Sequence, residues 1–183
     1  MRGINLILKA LNFAAFKHKY QRRKGDEHLP YINHPIKVAF IISEIGKIDD
    51  PIIISSAILH DVIEDTETSE EEIEKEFGNN IASIVKELTD NINFEKQKRK
   101  KLQIKKAPFL SREATIIRIA DKIANIEDIT SSPPIGWSYE RKEEYLEWAE
   151  KVVKACKNVN NDLKNYFFEK LKKTKKELQK NHN

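Results

Sequence analysis

The sequence is poor in residues that interrupt helices. Five glycines and six prolines stand among 183 residues, about half the usual combined share of roughly 12%. So few turn formers exclude a hairpin-rich β architecture and favour long helices. Cysteine occurs once, at Cys156, so no internal disulfide can form and a reducing compartment, the cytoplasm, is expected. Cys156 stands in a late helix with no obvious base beside it and is given no role. Long apolar runs are also missing: none approaches the roughly 20 residues of a membrane span. The opening MRGINLILKALNFAAF does not read as a signal peptide. Lys9 interrupts its apolar core, Ile4, Leu8, Leu11 and Ala15 recur at helical spacing, and no A-x-A-like cleavage site follows. No strong excess of one charge is present either. A net charge of +4 suits nucleic acid or a polyanionic small molecule and does not choose between them.

What the chain does contain is a pattern of helices. With 34% charged and 39% hydrophobic residues it has the composition of a folded domain with a core, not of a disordered chain. The first helix is expected from 4 to about 22. Pro35 opens a second that stops at Gly46. Asp50-Pro51 repeats the start signal ahead of IIISSAILH, which reads as a central buried helix continuing into HDVIED. Its β-branched run also suits a strand, but the Asp-Pro start favours helix. Ser69 with Glu72 forms a capping-box pattern closed by Gly78. Helices are expected near 80–89, 94–107 and 111–128, and, after the loop TSSPPIGW, near 138–157 and 159–180. The lysine density of the last leaves it free to fray or project beyond the core. No repeat and no linker-like segment divides the chain. The expectation is one all-α domain, residues 1–183, of roughly nine helices.

Polar residues interrupt the apolar helices at three places. His34 precedes Pro35, His60 and Asp61 end the buried helix, and Asp121 lies among Ile117, Ile119, Ala120 and Ile123. Imidazole nitrogen and carboxylate oxygen are what a divalent metal takes as ligands. Taken singly each has a plainer explanation: His34 as a capping or packing residue, Asp121 as the partner of Arg118 or Lys122. A buried aspartate is costly unless paired or coordinated. Glu64 and Asp65 follow Asp61 by three and four residues, on one side of the helix if it continues. The acidic run beyond, with Glu67 and Glu70 to Glu72, reads as a solvated face.

The order His, His-Asp, Asp on successive helices is similar to the HD phosphohydrolase pattern. HKYQRRKGDEHLPYINHP, AILHDVIEDT and RIADKIANIED resemble the hydrolase domain of the RelA/SpoT alarmone enzymes. The likeness is greatest to their stand-alone small forms, among them the metazoan SpoT homologues, and runs from about residue 13 to 165. It implies a single HD-domain helical bundle that binds Mn²⁺ through His34, His60, Asp61 and Asp121, with other divalent ions possible. It implies that Glu64 and Asp65 are catalytic, orienting the attacking water or accepting its proton. The implied activity is Mn²⁺-dependent removal of pyrophosphate from the 3′ position of (p)ppGpp, giving GDP or GTP. The length leaves no room for a separate synthetase domain.

The resemblance also implies substrate contacts. Arg23 matches a residue at the guanine face, where a planar guanidinium can stack, and Lys24 suits a phosphate. Asn125, one turn beyond Asp121, matches a ribose or phosphate contact. Tyr145 matches a substrate-contacting tyrosine, and Arg141 and Lys96 match cations near the phosphates. Helical spacing alone calls Tyr145 and Trp148 core residues, and Trp148 keeps that reading. Arg22 is read as complementing a helix end. The basic run EKQKRKKLQIKK lacks interleaved aromatics and, Lys96 apart, reads as a solvated face, so nucleic acid is not the expected partner. Position 124 departs from the family pattern: Ala124 stands where a larger residue is usual, which would widen the pocket. Two rival readings stay open, a phosphohydrolase on the same scaffold acting on another nucleotide such as NADPH, and a non-catalytic nucleotide- or RNA-binding module. The sequence leaves the oligomeric state unknown.

Overall fold

The computed structural model describes residues 3–25 and 28–182. Among them are ten α-helices, one 3₁₀ turn and no strand. In chain order they are α1 Gly3–Lys17, α2 Asn33–Glu44, α3 Pro51–Leu59, α4 Val62–Asp65, α5 Glu70–Phe77, α6 Asn79–Leu88, α7 Lys96–Lys106, the 3₁₀ turn Ala107–Phe109, α8 Arg112–Ser131, α9 Tyr139–Ala155 and α10 Asn161–His182. No helix among the described residues is long and apolar enough to cross a membrane.

The middle of the bundle is α8. Residues Ala114 to Ala124 are buried without a break, and α2, α3, α6, α9 and α10 all pack against it. Capping decides several boundaries. The Asp50 carboxylate accepts from the Ile52 and Ile53 amides at 2.8 and 3.4 Å, and Pro51 fills the first turn, so the β-branched run of α3 is helical despite its strand propensity. Ser69 accepts from the Glu72 amide at 3.2 Å, as the capping pattern predicts. Gly78, at φ 87°, takes the positive-φ backbone that ends α5 and that glycine adopts without a Cβ penalty.

Three expectations need correction. The helix expected through HDVIED breaks at His60–Asp61, giving α3 and α4. His60 Nδ1 takes the Ala57 carbonyl at 2.7 Å, the acceptor that the Asp61 amide would use in an unbroken helix. The first helix ends at Lys17, five residues early. Beyond it the chain folds back on itself: the Arg23 amide donates to Leu29 O at 2.8 Å and the Tyr31 amide to Gln21 O at 3.1 Å. The lysine-rich last helix does not project beyond the core. Leu163, Phe167, Leu171, Thr174 and Leu178 form a buried stripe along it, and α10 packs on α8 and α9.

Candidate metal centre

The four expected ligands meet at one point, from three parts of the chain. His34, at the start of α2, and Asp121, in the middle of α8, are brought together by the packing of α2 on α8. His34 Nε2 lies 3.2 Å from Asp121 Oδ1 and 3.8 Å from Asp61 Oδ2, and His60 Nε2 lies 3.1 Å from Asp61 Oδ2. One ligand atom from each of His34, His60 and Asp121 falls within 4.8 Å of the others, and the Asp61 carboxylate reaches both imidazoles. That spacing and donor set could hold a divalent ion.

The surroundings fix these groups from outside. A carbonyl can only accept, so the His60 Nδ1 that bonds Ala57 O carries a proton. That directs Nε2 into the cluster, where it is buried without a hydrogen-bond partner. A buried nitrogen so orphaned fits a metal ligand with its other nitrogen anchored to backbone. His34 Nδ1, also buried, has no such anchor. Tyr31 donates its hydroxyl to Asp61 Oδ2 at 2.6 Å. Asp121 accepts from Asn125 Nδ2 at 2.6 Å and Lys122 Nζ at 2.8 Å.

The charges agree with that arrangement. Burial opposes a proton on His60, but the Asp61 carboxylate outweighs it and lifts the pKa to about 9. Burial holds His34 below its ordinary value despite Asp121. Asp121 stays ionised well below the usual carboxylate range: Lys122, and after it His34, overcome the effect of burial. The centre therefore favours positive charge at the spot where the two carboxylates face the imidazoles.

Glu64 and Asp65 share the single turn of α4, which the Asp65 amide ties to Asp61 O at 2.9 Å. Their partners differ. Glu64 Oε1 accepts from Arg99 Nη1 at 3.0 Å, and Oε2 accepts from the Asp90 amide at 3.0 Å. Burial, and then the charges of Asp90, Asp61 and Asp65, push Glu64 up to about 7. The hydrogen bond from the Asp90 amide works in the opposite direction. Asp65, exposed, accepts from Gln21 Nε2 at 2.9 Å, whose Oε1 meets buried His18 Nδ1 at 2.6 Å.

His34, Asp61, Asp121, Glu64 and Asp65 line an open cleft of about 1020 Å³, the size of a site for a sizeable small molecule. The rest of its lining includes cations and aromatic rings. Lys96 is held below its ordinary pKa by burial and by Arg141, Lys100, Lys24 and Arg99. Arg141 lies 4.8 Å and Lys96 6.0 Å from the Trp137 ring, and Tyr145 bridges Trp137 and Trp148 at 5.6 and 5.3 Å. Arg23 reaches the cleft with its guanidinium edge engaged, donating to Asp128 at 2.6 Å and to Asn125 Oδ1 at 3.1 Å. Asn125 thus links Arg23 to Asp121. The Lys24 carbonyl accepts from the Ile135 amide at 2.7 Å, joining the 21–31 segment to the loop that carries Trp137.

Two expectations fail here. Trp148 is not simply core: it lines the cleft, donates to Lys100 O at 3.1 Å and lies under Lys122 Nζ at 4.4 Å. Ala124 is fully buried and does not line the cleft, so it does not widen the pocket. Arg22 is spent on the Lys19 and Gln21 carbonyls. Sequence reasoning named Lys122 as a possible partner of Asp121, which it is, but missed Tyr31, Arg99 and Gln21. The one available signal was Arg99 and Gln103 at i, i+4 within a run of lysines.

Comparison with known proteins points the same way. The model of a family described as "HD domain" matches residues 10–146. A Xenopus tropicalis protein named guanosine-3′,5′-bis(diphosphate) 3′-pyrophosphohydrolase MESH1 is 48% identical over 158 residues, 86% of this chain and 88% of its own. The human protein of the same name is 44% identical over 157 residues, 86% and 88% of the two chains. A solved structure titled as a metazoan ortholog of SpoT that hydrolyzes ppGpp superposes with a TM-score of 0.89 at 41% identity, covering 92% of this chain and 94% of that one.

Proposed function

The chain belongs to the HD domain family, and on that footing we propose that it is a (p)ppGpp 3′-pyrophosphohydrolase, cytoplasmic and dependent on Mn²⁺. One observation carries the reading most: two imidazoles and two aspartates converge at a cleft whose lining also carries a cluster of cations. His34, His60, Asp61 and Asp121 would hold the ion. Bound there, a divalent cation lowers the pKa of a water and offsets phosphate charge.

The chain's own residues supply the rest. Glu64, with a pKa near neutrality, takes the proton of the attacking water, the value a general base needs at working pH. Asp65, held by Gln21, orients that water. Lys24, Lys96 and Arg141 receive the phosphates, while Arg23, Asn125 and Tyr145 position the nucleoside. Attack on the 3′-linked phosphorus breaks its bond to the ribose 3′-oxygen. The products are pyrophosphate and GDP, or GTP from pppGpp.

The test is steady-state kinetics on ppGpp, pppGpp and NADPH side by side with defined metals, reading pyrophosphate and orthophosphate separately. Pyrophosphate release, with kcat/KM highest for the guanosine substrates, is the expected result. Near-equal rates across the panel, or orthophosphate as the only product, would overturn the substrate assignment. Asp61→Ala working as well as wild type would overturn the metal mechanism.

A further inference from the structure

The basic helix α7 buries none of its residues, yet two of its side chains turn inward, one turn apart. Arg99 grips Glu64 Oε1, and its Nε is buried without a partner. Gln103 donates to Asp90 Oδ2 at 2.6 Å, and the amide of that same Asp90 donates to Glu64 Oε2. Each carboxylate oxygen of Glu64 is thus fixed, one directly from α7 and one through a residue that α7 holds. Trp148 fastens the helix from the other side through Lys100 O.

A solvent-exposed ion pair would carry little weight. This one is sheltered, with Glu64 21% and Arg99 31% exposed. The charges facing Glu64 are Asp61 and Asp65 from its own segment, Asp90 from the turn after α6, and Arg99 from α7. Three are negative, so Arg99 is the one cation of this set that favours ionised Glu64. We infer that Arg99 is a positioning residue for the reaction, holding Glu64 in place and in its charged form, with Gln103 steadying the second donor through Asp90. The inference rests on Glu64 being the proton acceptor.

The experiment compares Arg99→Gln, Arg99→Lys, Glu64→Gln and the Arg99→Gln/Glu64→Gln double variant in the full chain. It reads kcat and KM across pH in the Mn²⁺-loaded protein, melting temperature, and the ¹³C carboxyl titration of Glu64 in metal-free protein. Arg99→Gln is expected to lower kcat by about 10- to 100-fold, the range for loss of a supporting group, with a much smaller change in KM. It should also move the acid limb and the Glu64 titration to higher pH, because a lost cation disfavours the carboxylate. Arg99→Lys should restore most of the rate. Glu64→Gln should cost about 10²–10⁴ in kcat, and adding Arg99→Gln should then cost almost nothing more.

An equal Arg99→Gln loss in the Glu64→Gln background would overturn the inference, as would an unmoved Glu64 titration. If Glu64→Gln is slow while Arg99→Gln is as fast as wild type, the inference alone falls. If Glu64→Gln keeps the wild-type kcat, Glu64 is not the proton acceptor and the proposed mechanism falls first.

Discussion

Replacing Asp121 by Ala should destabilise the fold even with no metal bound, because Asp121 anchors a buried lysine. The side chains of Asp121 and Lys122 are 10% and 4% exposed, and Lys122 Nζ lies 2.8 Å from Asp121 Oδ2. Removing one partner of a buried pair costs about 3–5 kcal/mol, since the other charge stays behind uncompensated. The Trp148 face 4.4 Å from Lys122 Nζ recovers part of that, on the order of 1 kcal/mol. The expected loss is therefore about 3 kcal/mol. For a domain of this size about 1 kcal/mol moves Tm by roughly 2–4 °C, so Tm should fall by about 6–12 °C. Thermal melts in excess chelator measure this without any contribution from metal. The double variant Asp121→Leu/Lys122→Met removes both charges and should recover most of the loss. A drop of less than about 2 °C for Asp121→Ala, or no recovery in the double variant, would refute the argument. The consequence for function is direct: lost activity in Asp121→Ala mixes ligand loss with unfolding. Asp61, at 21% exposure, gives the cleaner test of ligation.

Other outcomes follow from the same geometry. Mn²⁺ at about a hundredfold over its Kd should stabilise the chain by about 2.7 kcal/mol, a rise of roughly 5–11 °C in a fluorescence melt; EDTA should reverse it and Asp61→Ala should flatten it. If Glu64 is the proton acceptor, log kcat/KM should climb with pH and bend over at an apparent pKa no higher than about 7, the value at which Glu64 sits. A bound divalent cation would pull that limb lower, and an apparent pKa well above 7 would contradict the assignment. Gly25→Ala should raise KM and lower Tm: the added Cβ would meet the Ser132 side chain and lie 2.9 Å from its carbonyl, forcing the Arg23–Lys24 segment off its neighbour.

How much of this was legible in the sequence depends on how far apart the partners lie in the chain. Caps act within three or four residues, so Asp50-Pro51 and Ser69 placed the starts of α3 and α5 correctly. The break at His60 was hidden because it comes from a side chain competing for a carbonyl, which no propensity records. The buried stripe of α10 was hidden by its lysines, whose long stems lie along the flanks of a helix that is apolar on one face. The proposed ligands were legible as a family motif, since His34, His60, Asp61 and Asp121 are residue types that suit a metal, in the order of that motif. Their supports were not. Arg99 is 35 residues from Glu64, and Arg23 is 105 from Asp128. Within a run of lysines, the i, i+4 spacing of Arg99 and Gln103 was the only hint that one arginine faces inward.

The charge layout carries one more consequence, the order in which ligands can bind. Asp61, Asp121, Glu64 and Asp65 form one cluster in the cleft, and the cations that would receive phosphate form another around Lys96. A polyphosphate drawn in by Lys96 and Arg141 must bring its reacting phosphorus towards four carboxylates. Without a divalent cation there, like charges oppose the approach, and low dielectric inside the cleft strengthens that opposition. Metal should therefore bind first and raise nucleotide affinity, and by linkage nucleotide should raise metal affinity by the same factor. Calorimetry with ppGpp on the slow Glu64→Gln variant, in chelator and in Mn²⁺, measures both legs; using Arg141→Gln as well shows whether the cationic cluster alone accounts for metal-free binding. A ppGpp Kd unchanged by Mn²⁺ would mean that the acidic cluster does not face the phosphates, and the placement of the substrate would have to be reversed.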